Sequence, residues 1–183
     1  MDKNEEELYF IAIVPPSPLR EEMQELKQYF GDLYNSKASL NSPPHITLHM
    51  PFRLKAKKEE VLSKTLREFA HGQIPFEIKL KDFGAFPPRV VFVDVKENEA
   101  LIELQTELNK TCRQQLNLHN ANYKDRGFHP HITLAFQDLR KPKFWEAWQE
   151  FEHKSFEGSF AADNLTLLKH DGKRWQEFRE FDF

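Results

Sequence analysis

The sequence has one cysteine, Cys112, little net charge and no long apolar run, and each shortage removes a class of protein. A single thiol allows no intrachain disulfide and no cysteine-based zinc site, which favours a reducing, intracellular setting. A formal net charge of −3 argues against a protein that coats nucleic acid through one broad basic face, because such binding depends on releasing many counterions. A small local basic site stays open. The apolar run near the start, residues 8–14, falls far short of the ~20 residues that span a bilayer. The acidic stretch before it, Glu5-Glu6-Glu7, is wrong for a secretory signal. These readings predict a cytoplasmic protein with no membrane segment. No His-Glu-x-x-His run occurs either, so a helix-borne zinc site has no support.

Phenylalanine, by contrast, is abundant: 17 of 183 residues, bulky core material in a chain whose length suits one domain over residues 1–183. Residues 8–14 read as a buried strand stopped by Pro15-Pro16. Ser17-Pro18 offers a capping hydroxyl and a proline for a helix through about residue 30, with Leu19, Met23, Leu26 and Phe30 on one side. Strands are expected near 45–52, 76–80, 89–95, 131–136 and 165–168, with a closing strand after an Asp171-Gly172 turn. Imperfect alternation around residues 175–178 suggests a bulge or an irregular start there. Apolar residues at helical spacing predict helices over 56–70, 99–116 and 142–151.

One tetrapeptide appears twice. His45-Ile46-Thr47-Leu48 recurs as His131-Ile132-Thr133-Leu134, each copy directly after a proline. With 8 histidines and 6 threonines in 183 residues, chance gives about 0.3 His-x-Thr triplets, so two that share both apolar partners need a structural or chemical cause. Both copies sit in one context: polar loop, proline, motif strand, amphipathic helix. The pattern implies an internal duplication and two pseudo-equivalent lobes around a groove.

In a strand, residues i and i+2 share a face, so His45 with Thr47, and His131 with Thr133, emerge together while Ile and Leu enter the core. Two imidazoles can divide the work of general base and general acid near neutral pH, and two hydroxyls suit non-bridging phosphoryl oxygens. Together they fit in-line attack on a phosphodiester, with no metal or other cofactor required.

The doubled His-apolar-Thr-apolar motif resembles the two-histidine (2H) phosphoesterase superfamily, which includes bacterial 2′-5′ RNA ligase and RNA 2′,3′-cyclic phosphodiesterase (LigT-like) proteins. The likeness extends to the opening strand over 10–16, the Phe86-Pro87-Pro88-Arg89-Val90 stretch and the closing hairpin over 165–183. It implies an α+β bilobal fold, two pseudo-symmetric lobes of antiparallel sheet plus helices around a central cleft. It also implies action on an RNA 3′ end or a small cyclic or 2′-5′ phosphodiester, with His45, Thr47, His131 and Thr133 catalytic; a monomer is expected. Many LigT-like members carry an arginine shortly after the second motif, where this chain has Phe136-Gln137 and, further on, Arg140.

Other residues are weighed for the site. Arg126 in the loop before the second motif, Arg53 after the first and Arg89 between them are candidates to meet substrate phosphates. Phe136, Phe52, Phe128 and Tyr123 are candidates for stacking a base, although core packing is the default for a phenylalanine. His49 and His129 are expected on the same strand faces as the motif histidines, as rim residues. Two alternatives remain at this level: a zinc hydrolase using His45, His131 and either His129 or His49, and a non-catalytic nucleotide- or RNA-binding module.

Overall fold

The computed structural model describes residues 5–120 and 127–183. Among these the chain runs β1 (Glu6–Ile13), α1 (Leu19–Leu33), β2 (Ile46–Lys55), α2 (Glu59–Ala70), β3 (Phe76–Phe86), β4 (Val90–Val95), α3 (Glu99–Leu116), β5 (His131–Ala135), α4 (Lys141–Phe151), β6 (Glu157–Ala162), β7 (Asn164–His170) and β8 (Trp175–Asp182). The strands form one antiparallel sheet in the order β6-β3-β4-β5-β2-β1-β7-β8. The expected two-lobed α+β architecture is present as two four-stranded halves of this sheet. They meet where the motif strands β5 and β2 touch, through the pair Ile46 and Ile132.

The order β-α-β-α occurs twice, as two units: β1-α1-β2-α2, then β4-α3-β5-α4. The first helix of each unit packs on the other unit's motif strand, α1 on β5 and α3 on β2. The halves are thereby interlocked, and one core continues across both. It takes in Met23 and Phe30 of α1, Leu62 and Leu66 of α2, Leu101 and Leu108 of α3 and Phe144 and Phe151 of α4. These are the apolar stripes that the helical spacing places on one side.

Local chemistry sets the boundaries. Asn98 caps α3, its side chain accepting from the Leu101 amide at 3.0 Å. Asn117 ends the helix in the left-handed region at φ 54°. The Asp171 carboxylate accepts from the amides of Lys173 and Arg174, both at 2.8 Å, and closes the β7–β8 hairpin. The bulge expected near residues 175–178 is there: Leu167 pairs with Arg179 and Leu168 with Glu177, leaving Phe178 as the extra residue.

Two local readings are corrected. Ser17 does not cap α1: the position before the helix is Pro18, and the Ser17 hydroxyl binds Glu21 at 2.7 Å instead. β6 was not expected, because Glu157-Gly158-Ser159-Phe160-Ala161-Ala162 has almost no β-branched or aromatic content. Tertiary pairing along β3 makes it a strand. Gly158 is suited to the place, since a Cβ there would meet the Leu19 side chain at 2.8 Å.

Candidate active site

The antiparallel pair Ile46 and Ile132 joins the two motifs at their starts. Extending that register by one residue sets His45 across from Thr133 and Thr47 across from His131, all on the face away from the helices. Such direct neighbours have Cβ atoms ~4.5–5.5 Å apart and diagonal ones, as the two histidines would be, ~7–8 Å. A phosphoryl group fits between imidazoles at that separation.

Each motif carries the same irregularity. Opposite Ile11 and Ala12 of β1 stand His49 and Thr47, so Leu48 is bulged out of register. Opposite Val91 and Phe92 of β4 stand Ala135 and Thr133, so Leu134 is bulged in the same way. Side chains of the crossing segments satisfy the backbone that each bulge frees. The Leu48 carbonyl accepts from Gln105, Asn109 and Asn120, each at 3.4 Å. The Leu134 carbonyl accepts from Ser39 Oγ at 2.6 Å.

The first bulge overturns the expectation for His49. It pairs with Ile11, a core residue, is 1% exposed and lies edge-on to Phe52 at 5.1 Å. His49 therefore faces the helices and cannot join the motif histidines in ligating a metal. His129 does lie beside the cleft, its ring 6.0 Å from that of His131 and its Nε2 3.0 Å from Asp94 Oδ1. Among the described residues no three His, Cys, Asp or Glu side chains gather so as to hold a metal ion.

The two catalytic candidates are held alike. His45 Nδ1 donates to the Pro43 carbonyl and His131 Nδ1 to the His129 carbonyl, both at 2.7 Å and both two residues back. A carbonyl can only accept, so Nδ1 carries the proton and Nε2 keeps its lone pair. Each ring also lies 4.7 Å from a phenylalanine of the neighbouring strand, Phe10 for His45 and Phe92 for His131. Neither threonine hydroxyl is engaged by another described residue, which leaves both able to bind an oxyanion.

The surroundings differ in charge. Burial pushes the His45 imidazole down to about 4, and the Lys27 ammonium and His131 push the same way. Lys27, on α1, is 1% exposed and donates to the Ser42 carbonyl at 2.7 Å, within the segment that leads to His45. Burial also lowers His131, as does His129, but the Asp94 carboxylate on the adjacent strand works in the opposite direction.

The further candidates scatter. Arg89 stands in the β3–β4 turn and, with Asn35, Lys37, Gln137, Asp138 and Arg140, lines a polar depression of about 510 Å³. Phe136, half-buried, follows β5 and precedes Gln137 of that lining. Arg53 is exposed and paired with Leu8, eight positions along β2 from His45, or roughly 25 Å at ~3.3 Å per residue. Arg126 and Tyr123 fall outside the described residues. Phe52 is buried in the core and cannot stack a base, and Phe128 is partly buried, packed against that core. Sequence reading missed Phe10, Phe92, Asp94 and Lys27 because their relation to the histidines runs through strand register and helix crossing.

Two half-buried imidazoles and two hydroxyls that no other described residue engages thus stand on paired central strands, the groups that a two-histidine phosphoester site needs. The sequence profile of the 2′-5′ RNA ligase superfamily matches residues 15–174, and the chain belongs to that family. An inferred phosphoesterase of Halalkalibacterium halodurans is 27% identical over 176 residues, spanning 94% of this chain and 95% of the relative. One from Geobacillus kaustophilus is 26% identical, over 94% of each. Among solved structures, Escherichia coli LigT complexed with 3′-AMP superposes with a TM-score of 0.68 at 22% identity, over 98% of this chain and 99% of that one. A protein of Thermus thermophilus gives 0.67 at 20%, over 96% and 97%. At such identities the structural likeness establishes the fold; the family carries the phosphoesterase-type function.

Proposed function

We propose that the protein is a metal-independent phosphodiesterase that opens 2′,3′-cyclic phosphates, at RNA 3′ ends or on small nucleotides, with 2′-5′ linkages as related substrates. The observation that carries this reading is the matched pair of Nδ1-to-carbonyl bonds, which put the proton on Nδ1 and leave both Nε2 atoms with a lone pair for proton transfer. The 3′-AMP bound to the LigT neighbour is in keeping with a nucleotide-type ligand.

The asymmetry of the surroundings favours one division of roles. His45, beside Lys27, stays neutral and takes the proton of the attacking water at Nε2. The water oxygen bonds to phosphorus while the bond to the ribose 2′ or 3′ oxygen breaks. His131, which Asp94 helps to protonate, gives its Nε2 proton to that leaving oxygen. Thr47 and Thr133 donate to the non-bridging oxygens as charge develops. Both imidazoles are neutral in the free cleft at neutral pH. The negative charge of the arriving phosphodiester raises their proton affinity, most at His131.

The test is turnover of nucleoside 2′,3′-cyclic phosphates and of RNA ending in one, by EDTA-treated protein and by His45→Ala and His131→Ala variants. Each variant should lose ~10²–10⁴-fold in kcat. Undiminished turnover in either variant would overturn the mechanism, and activity that returns only with added zinc would overturn its metal independence.

A further inference from the structure

The two motif strands share one register pair among the described residues, Ile46 with Ile132. A single pair lets β2 and β5 pivot about each other, so fixing His45 against His131 takes a further point of attachment. The segment that leads from α1 to His45 supplies it.

Residues 36–43 are bonded at three places to groups outside themselves. The Asp138 carboxylate accepts from Ser36 Oγ at 2.9 Å and from the Lys37 and Ala38 amides at 2.8 and 2.9 Å. Ser39 Oγ donates to the Leu134 carbonyl at the second bulge, and Lys27 Nζ donates to the Ser42 carbonyl. Between these anchors the chain is wound into a 3-10 turn, Ala38–Asn41. Pro43, next to Ser42, then holds His45 Nδ1 through its carbonyl. Leu134 directly follows Thr133, and Asp138 lies five residues beyond it, so the end of the second motif strand grips the approach to the first.

Ser36, Ser39 and Lys27 are all buried. An apolar side chain would fill such places, whereas a buried hydroxyl or ammonium costs free energy unless its hydrogen bond is kept. These bonds therefore leave the segment little latitude. The second motif has a counterpart: Asn120, in the segment that precedes it, donates to the Leu48 carbonyl of the first bulge and accepts from the Met50 amide at 2.9 Å.

We propose that residues 36–43 form a brace through which the second motif strand sets His45, with Ser39 and Asp138 as positioning residues. The proposal rests on the phosphodiesterase reading for its effect on turnover, whereas its effect on the His45 ring is independent of that reading.

The experiment reads both. The imidazole tautomers of ¹⁵N-labelled protein are followed by NMR at neutral pH, beside urea midpoints and kcat on uridine 2′,3′-cyclic phosphate, in wild type, Ser39→Ala, Asp138→Ala and Ile78→Val. Ile78 is buried on β3 opposite β6, so its trimming lowers stability without touching the brace. Wild-type His45 should carry its proton on Nδ1. In Ser39→Ala and Asp138→Ala a form protonated on Nε2 should appear at His45 as its hold on the Pro43 carbonyl loosens. Turnover should fall about tenfold or more in both, as for a misplaced catalytic group. Ile78→Val should change neither readout. Asp138 is exposed, so its truncation covers the case in which Ser39→Ala fails to fold. An unmoved His45 tautomer in the variants that fold, or the same redistribution in Ile78→Val, overturns the brace. Redistribution in a protein whose wild type turns over no cyclic phosphate keeps the brace and overturns the catalytic reading, while wild-type turnover with an unmoved tautomer in the variants does the reverse.

Discussion

At the scale of single residues, the two histidines have one hydrogen-bond pattern and different electrostatic company. That difference can be tested through Asp94. Replacing it with asparagine keeps an oxygen for the Val95 amide, now 2.9 Å away, and removes the negative charge that supports a protonated His131. With His131 as acid, the alkaline limb of the kcat/KM profile in Asp94→Asn moves to lower pH. The acid limb, set by neutral His45, stays where it was. An unmoved alkaline limb, or movement of the acid limb instead, reverses the assignment. Proton inventory at these residues was readable from residue type alone. The proposed division into acid and base was not, because Asp94 and Lys27 reach the histidines from β4 and α1, about 37 residues before one motif and 18 before the other.

At the scale of elements, β3 and β4 form the wall behind His131, and a glycine shapes it. Gly84 pairs with Phe92, whose ring folds over it: a Cβ on residue 84 would meet Phe92 Cε2 at 2.3 Å and Cζ at 2.6 Å. The absence of a side chain lets Phe92 lie flat enough to contact both Phe86 and His131. Gly84→Ala should therefore displace the ring, cost ~1–3 kcal/mol by overpacking and lower kcat by up to about a hundredfold. Denaturant midpoints and kcat measured together check this; wild-type kcat in a folded variant would refute the link between Phe92 and His131. The elements themselves were largely legible, since helical spacing and the Pro, Asn and Asp-Gly punctuation lie in sequence. β6 and the inward turn of His49 were not, because a poor strand former is recruited by pairing with β3 and a bulge reverses facing without any mark in composition.

At the scale of the whole molecule, the fold holds titratable groups where burial opposes their charge. His45 drops from 6.5 to about 4 and His131 falls in the same direction. A group whose folded-state pKa is depressed gives stability that is fully present above its unfolded value and is lost as pH falls towards the folded one. Urea midpoints should thus decline from about pH 6.5 to about pH 4, and His45→Asn should flatten that decline. Lys27, buried and down from 10.5 to about 7, obeys the same rule in a higher window: stability should rise between pH 7 and 10.5. Lys27→Met should abolish that rise. A midpoint independent of pH in the wild type across both windows would contradict these burials.

The duplicated motif, its four chemical side chains, the strand-and-helix alternation and the two-lobed class follow from local pattern, because period, propensity and turn chemistry act over a few residues. The family followed as well, since the motif carries its chemistry in residue type and order. Long-range contact alone set the rest. It merged the lobes into one sheet through Ile46 and Ile132, sent α1 and α3 across to each other's motif strands, and turned His49 inward. It also left Arg53 far from the cleft and placed Lys27 on one side and Asp94 on the other. These depend on which distant segments share a register or a packing face, and no short window of sequence contains that information.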